Sequence, residues 1–296
     1  MHWVAELVRE LETEEITIMR ALEDLSKRFE FTPLDELTKK TNLNPDDVLF
    51  HLSQLNKQKV VQRQIKPYLG YRLILAGYDA LALHALASHD IIISIGQPYG
   101  IGKEANVYRA LNGEGKEVAL KVLRWGRTSF RQARRLRALP TAFRTSWIDS
   151  CKQAAEREYA ALHTLMHHKV RVPTPIAVNR HILVMTHMEG NLLLDVKDLT
   201  NPHQVLNQIL HQILIAFQCA KIIHGDLSEY NIFVDEEEQI TLFDWPQWIP
   251  LRHPNALLLL RRDVTHVIKF FRRRFRLKVD SQDAFHKIVN NHRGGA

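Results

Sequence analysis

The sequence predicts an α+β fold in two parts: a small helical module closed by a hairpin, then a larger domain in which strands precede helices. Three observations carry this. Apolar residues recur at helical spacing, behind helix-start signals, as far as residue 57. Two short β-rich runs follow, at 60–65 and 71–75, around a turn. From Asp90 the pattern becomes strand, glycine-rich turn, strand and then helices. A chain of 296 residues, 45% hydrophobic and 25% charged, has room for two ordinary domains and is too apolar to be disordered. The simplest division is 1–88 and 89–296.

In the first part, Ile16, Met19, Leu22, Leu25 and Phe29 predict a helix with one buried face. Thr32-Pro33 reads as an N-cap followed by proline at the first helical position, opening a short helix through Lys40. Asn44-Pro45-Asp46-Asp47 repeats that signal, with carboxylates suited to the positive end of a helix, and Val48, Leu52 and Leu55 form the buried stripe. The β runs flank Lys66-Pro67-Tyr68-Leu69-Gly70, a hairpin turn, and residues 76–88 read as a linking helix. Helix, helix, helix, hairpin is the order of a winged helix-turn-helix. Lys57, Lys59, Arg63, Lys66 and Arg72 suit nucleic-acid phosphates, but also suit a solvated face of a protein-contact module. Asp46 and Asp47 repel phosphate at the helix end that usually enters a groove. Both readings stay open.

Composition removes several function classes. Cys151 and Cys219 fit neither a disulfide scaffold nor a cysteine-rich zinc site. The N-terminus lacks the pattern of a signal peptide, and no apolar run approaches the ~18–20 residues of a membrane span. The expectation is a soluble, cytoplasmic protein without a membrane partner. Lys+Arg 40 against Asp+Glu 33 leaves a net charge of +7. Between Arg124 and Arg157 lie nine basic residues against Asp149 and Glu156, an excess equal to that whole charge. Such a run is either a solvated arm or a surface for RNA phosphates.

The chemistry lies in the second part. Gly100-Ile101-Gly102-Lys103-Glu104-Ala105-Asn106-Val107-Tyr108 offers glycines that let backbone amides approach a phosphate. It is no P-loop, because Gly96 is one residue too far from Gly102-Lys103 and Glu104 stands where Ser or Thr would bind magnesium. It is no dinucleotide fingerprint either, since another strand follows. Thirteen residues past Tyr108, Val118-Ala119-Leu120 ends in Lys121, like the kinase strand whose lysine holds the α- and β-phosphates. His224-Gly225-Asp226-Leu227-Ser228-Glu229-Tyr230-Asn231 matches the kinase catalytic loop except for glycine in place of arginine. That loop needs a carboxylate for the hydroxyl proton and, five residues on, an amide oxygen for Mg²⁺. Two short strands then lead to Asp244, thirteen residues past Asn231, where the kinase metal aspartate falls; Trp245-Pro246 replaces Phe-Gly.

With these motifs in order and at kinase spacing, the chain from Ile91 onward resembles the RIO atypical protein kinases, and the winged module points to the second subfamily. The fold expected from the resemblance is a winged helix-turn-helix followed by a reduced bilobal protein-kinase-like domain. The resemblance implies ATP and Mg²⁺ as cofactors and Ser/Thr autophosphorylation or ATP hydrolysis. It further implies a precursor of the small ribosomal subunit and its rRNA as partner. Asp226 becomes the catalytic aspartate, Lys121 the phosphate-holding lysine, and Asn231 and Asp244 the metal ligands. Glu158 becomes the ion-pair glutamate, with Glu156 as a competitor on another helix face. Gly100, Gly102, Lys103 and Val107 line the nucleotide, together with the hinge strand at Met185, His187 and Met188. Ala105 departs from the family's usual serine and removes one hydroxyl contact to phosphate. No Ala-Pro-Glu segment is present, and about fifty residues after Asp244 leave little room for an activation loop. Thr128, Ser129, Thr141, Thr145 and Ser146 are hydroxyls tethered between Lys121 and Glu158, from which at least one is expected to reach the γ-phosphate, and a monomer is the favoured state. The rival readings are a small-molecule phosphotransferase of the aminoglycoside or choline kinase type and a nucleic-acid-binding regulator with an inactive kinase scaffold. The first needs a helical substrate lobe for which the chain is short. The second has no need of Lys121, Asp226, Asn231 and Asp244.

Overall fold

The computed structural model describes residues 1–102, 104–124 and 147–290. The chain opens with α1 (His2–Glu10) and α2 (Thr13–Leu25), the second started by a reciprocal capping box between Glu12 and Glu15. Ile16, Met19, Leu22 and Leu25 are buried as their spacing predicts; Phe29 lies past the helix end and packs on the same core from a turn. The reading of Thr32-Pro33 as cap and first helical residue needs correction. They form a short strand, β1, pairing with Tyr71 and Gly70, so Pro33 is the extended residue before α3 (Leu34–Thr41). Tertiary pairing decides here, because Thr32 is buried against the hairpin. α4 (Pro45–Lys57) begins as predicted, with the Asn44 side chain accepting from the Asp46 amide at 3.0 Å. β2 (Val61–Gln64) and β3 (Gly70–Leu73) pair antiparallel, completing the winged helix-turn-helix.

The helix α5 (Leu75–Ala87) is more than a linker. Gly77, Tyr78, Ala80, Leu81, Ala82, Leu83 and Leu86 are all buried, which a helix reaches only when covered on most sides. One continuous apolar cluster joins Leu22, Leu52 and Leu81 of the module to Val118, Leu120, Ile182 and Val184 of the following sheet. That sheet contains β4 (Ser94–Ile101), β5 (Ala105–Leu111), β6 (Glu117–Leu123), β7 (Pro175–Asn179) and β8 (Ile182–Thr186), in the order β4-β5-β6-β8-β7, with every neighbouring pair antiparallel. The helix α6 (Trp147–His167) packs against β6, β7 and β8. The expected glycine-rich turn is mostly strand: β4 runs through Gly96, Pro98 and Gly100 with two register irregularities, and Pro98 is tolerated because β4 is an edge.

The second lobe holds β9 (Asn191–Leu192), α7 (Pro202–Gln218), β10 (Ile222–Ile223), β11 (Ile232–Val234), β12 (Ile240–Leu242), β13 (Ile249–Pro250), α8 (Ala256–Phe275) and α9 (Ser281–Asn290). β11 lies between β12 and β9, and β10 pairs with β13. Val264, Val267, Ile268 and Phe271 of α8 face inward as expected, in a cluster that also takes Leu162 and Leu165 from α6. The observed order is a small sheet-rich lobe and a helical lobe behind a winged module. Among the described residues, no helix is long and apolar enough to cross a membrane.

Two acidic hubs fasten the winged module to the small lobe. Glu23 of α2 accepts from Arg180 and from Lys152 Nζ, the latter at 2.6 Å. Asp79 of α5 accepts from Arg124 Nη2 at 2.7–2.8 Å and from His181 Nε2 at 2.7 Å. Burial pushes the His181 imidazole below its ordinary pKa, against the pull of Asp79, so the ring donates as a neutral group. Asp79→Ala would leave Arg124 and His181 facing an apolar wall. Because losing one partner of a buried ion pair costs about 3–5 kcal/mol, urea denaturation of this variant should show a loss of that order. Adding Arg124→Ala to it should cost far less than the sum of the two single changes.

Candidate active site

The site assembles around Lys121, in the middle of β6 and opposite Val107 of β5. The side chain is 6% exposed, and its ammonium donates to Glu158 Oε1 and Oε2 at 2.6 and 2.7 Å and to Asp244 Oδ1 at 2.6 Å. Three N–H donors thus meet three carboxylate oxygens. Burial alone would lower the lysine pKa, but the charges and hydrogen bonds of Asp244 and Glu158 outweigh it and raise it. Asp244 moves the other way: burial favours the neutral acid, and Lys121 overcomes this and holds the pKa below its ordinary value. Glu158 is fully buried and also accepts from the Trp245 amide at 3.1 Å. Its neighbour Glu156 is exposed on another face of α6, so the helix turns only one of the two candidates toward Lys121.

The β11–β12 hairpin positions the next pair. Asn231 ends a short 3-10 turn, and Asp244 follows β12 in a left-handed conformation with φ of 65°. The Asn231 Nδ2 donates to Asp244 Oδ2 at 3.2 Å, and Ser228 Oγ donates to Asn231 Oδ1 at 3.0 Å. Which amide atom faces Asp244 follows from this network. Turned over, the amide would set its oxygen against the Asp244 carboxylate, two acceptors that only a cation between them would satisfy, while Nδ2 donates to Ser228 Oγ. One carboxylate and one amide oxygen are hard donors of the kind Mg²⁺ takes alongside substrate phosphates. Among the described residues no cluster of three or more His, Cys, Asp or Glu forms a metal site.

Asp226 stands at the mouth, its side chain 57% exposed and 3.6 Å from Arg262 Nη2. The loop beneath it is held from α8. Asp263, 1% exposed, accepts from the Gly225 amide at 2.8 Å and from the Leu227 amide at 3.1 Å, and Arg262 donates to the Gly225 carbonyl. Gly225 has φ of 76°, and a Cβ there would lie 3.1 Å from the Gln247 carbonyl. This accounts for glycine where the kinase loop carries arginine. His224 Nε2 donates to the Phe243 carbonyl at 3.0 Å, and burial pushes its pKa down to about 4, so the ring is neutral at pH 7.

The remaining expected residues lie along the sheet and the strand that leaves it. Gly100 pairs with Val107, and the Gly102 amide donates to the carbonyl of Ala105, the first residue of β5. Met185 and Met188 are buried at and after the end of β8, and the His187 ring meets Tyr99 edge-on at 5.3 Å. Lys103, the hydroxyls Thr128, Ser129, Thr141, Thr145 and Ser146, and most of the basic run lie outside the described residues. Sequence reasoning missed Asp263 and Arg262. Its available signal was a carboxylate inside the apolar stripe of Leu259, Leu260, Val264 and Val267.

Comparison with known proteins places the whole chain among relatives of one family. Residues 106–284 match the family model described as RIO domain, and residues 8–89 match the one described as Rio2, N-terminal. The RIO-type serine/threonine-protein kinase Rio2 of Methanocaldococcus jannaschii is 36% identical over 87% of this chain and 94% of its own length. The serine/threonine-protein kinase rio2 of Schizosaccharomyces pombe is 33% identical over 92% of this chain and 80% of its own. The relative from Dictyostelium discoideum is longer, and the match spans 55% of it. The crystal structure of the Rio2 kinase–ADP/Mg²⁺–phosphoaspartate complex from Chaetomium thermophilum superposes with a TM-score of 0.82 at 30% identity, covering 98% of this chain and 90% of that one.

Burial raises the Asp263 carboxyl from an ordinary value of 3.8 to about 7, although the two loop amides and Arg262 oppose the rise. The folded protein therefore holds one more proton than the unfolded chain between those values. That contribution is complete at low pH and is lost as pH rises through about 7. Relative to Asp263→Asn, which cannot titrate, the wild-type stability should decline by up to about 1.4 kcal/mol per pH unit across this window. Denaturant titrations of both proteins at pH 4.5, 6 and 7.5 give the difference; a constant difference refutes it.

Proposed function

The chain belongs to the RIO family of serine/threonine-protein kinases, with the N-terminal domain of the Rio2 type, and from that premise we propose that it uses MgATP to phosphorylate serine or threonine. The observation that carries the proposal is the joined set Lys121, Glu158, Asp244 and Asn231, with an exposed Asp226 beside it. Lys121 would hold the α- and β-phosphates by turning a donor away from Asp244, while Glu158 keeps the ammonium in place. Asn231 and Asp244 would hold Mg²⁺, which when bound offsets the negative charge of the transferring phosphoryl group. Asp226 would accept or orient the proton of the attacking hydroxyl at its exposed carboxylate. Asp263 and Arg262 hold the backbone that aims it. The adenine would meet the backbone at His187–Met188, and Ala105 leaves phosphate binding at that turn to main-chain amides.

For the biological setting we infer autophosphorylation or ATP hydrolysis by a cytoplasmic monomer that serves maturation of the small ribosomal subunit. The family resemblance and the charge of +7 support an rRNA-bearing partner. Phosphate contacts dominate that reading, since Asp46 and Asp47 sit in the first turn of the helix that would enter a groove.

Asp226→Ala should retain MgATP binding and lower turnover by about 10²–10⁴-fold, while Asp244→Ala should weaken Mg²⁺-dependent binding itself. Calorimetry and ATP-consumption assays separate the two effects, and equal turnover by Asp226→Ala and wild type refutes the assignment. Sedimentation with small-subunit precursor particles tests the setting. The active protein should dissociate with MgATP while Asp226→Ala stays bound; identical release of the two removes the ATP-driven part of the reading.

A further inference from the structure

The five residues from Asp244 to Trp248 are tied to two adjacent residues of α6. The Trp245 amide donates to Glu158 Oε1 at 3.1 Å. Three residues on, Trp248 and Arg157 exchange hydrogen bonds: Trp248 Nε1 donates to the Arg157 carbonyl at 3.0 Å, and Arg157 Nη2 donates to the Trp248 carbonyl at 2.9 Å. The guanidinium also lies over the indole, 5.0 Å from its centre. Burial lowers the Arg157 pKa from its ordinary value, the mark of a charge drawn partly out of water, where a charge-assisted hydrogen bond gains strength. The far end of the run enters β13, which pairs with β10 just before the catalytic loop.

Arg157 and Glu158 are successive on a helix and so point about 100° apart. Glu158 faces Lys121, and Arg157 faces the chain that leaves Asp244. If α6 rotated or slid, Glu158 would leave Lys121, but the reciprocal pair at Arg157 would break with it. We infer that Arg157 and Trp248 are positioning residues, whose mutual hydrogen bonds hold α6 where Glu158 meets Lys121 and thereby set the grip on the nucleotide's phosphates. Neither touches the reacting atoms. The place where many kinases carry a long activation loop is here a short staple. This inference rests on the MgATP reading above.

The test compares two ligands that differ in phosphate. MgATP and adenosine are titrated by calorimetry into the full chain, wild type and variants, with melting temperatures recorded in parallel. Trp248→Phe keeps an aromatic face and deletes the Nε1 donor; Arg157→Gln deletes the charge. Each should weaken MgATP about three- to tenfold, the range of one net hydrogen bond, and leave adenosine within twofold. Arg157→Lys, which keeps the charge over the indole, should recover part of the loss. On a Glu158→Gln background, Trp248→Phe should add no further loss, because the contact it protects is already weakened. Equal losses for both ligands, no loss for MgATP, or full additivity with Glu158→Gln overturns the inference alone. Failure of the wild-type chain to bind MgATP overturns the kinase reading and this inference with it. Trp248→Phe alone decides the matter if Arg157→Gln does not fold.

Discussion

A buried ammonium is the constraint on which the rest of this structure depends. Lys121 sits in the middle of a sheet strand with almost no access to water, and an unpaired charge there would cost several kcal/mol. It is tolerable only because Glu158 and Asp244 reach it from two other parts of the chain. The three-way contact fixes the place of α6 over the sheet and the distance between the two lobes. It also fixes where the chain leaves β12. Glu158, fully buried, needs the lysine as much as the lysine needs it, while Asp244 meets the ammonium from a side chain still 41% exposed. The cluster is therefore a structural joint between the sheet, α6 and the segment after β12.

Helix α6 carries this joint and is anchored well beyond it. Lys152, nearly two turns before Glu158, reaches back to Glu23 of the winged module, and its ammonium also lies 5.0 Å from the Tyr78 ring. Arg157 holds the run after Asp244. One helix thus connects the N-terminal module, the sheet lobe and the segment from Asp244 to Trp248 through side chains six or fewer residues apart. The apolar cluster that passes from α2 and α4 through α5 into β6 and β8 supports the same connection from below. The winged module thus shares one core with the small lobe and reaches α6 directly through Glu23 and Lys152.

The catalytic loop is built by a different device. Its backbone is anchored to one buried carboxylate, Asp263, which collects two amides on either side of Asp226, while the Asp226 side chain faces outward beside Arg262. Gly225 makes this possible by adopting a conformation a side chain would strain. His224, neutral and enclosed, fastens the same loop to the carbonyl just before Asp244. His224 thereby holds the segment before Asp226 against the one before Asp244, 19 residues along the chain.

Much of this was legible in the residues alone. The order of helices and hairpin, the capped start of α4, the strand ending in Lys121 and the spacing from Asp226 through Asn231 to Asp244 all follow from local periodicity, caps and motif distance, which are properties of neighbouring residues. The choice of Glu158 over Glu156 rests on the family resemblance; helix periodicity adds only that the two face different ways, and the fold sets Glu158 against Lys121. What the sequence could not decide depended on partners distant along the chain. Thr32 and Pro33 joined a strand because Tyr71 and Gly70 offered one, and the glycine-rich segment extended as an edge strand because β5 lay beside it. Helix α5, read as a linker, became core because two layers closed on it. Arg262, Arg157 and Trp248 had no local signature, and Asp263 had only that of a carboxylate inside an apolar stripe. A carboxylate in an apolar stripe or an arginine beside a glutamate acquires its role only when folding sets it against the backbone group it must satisfy.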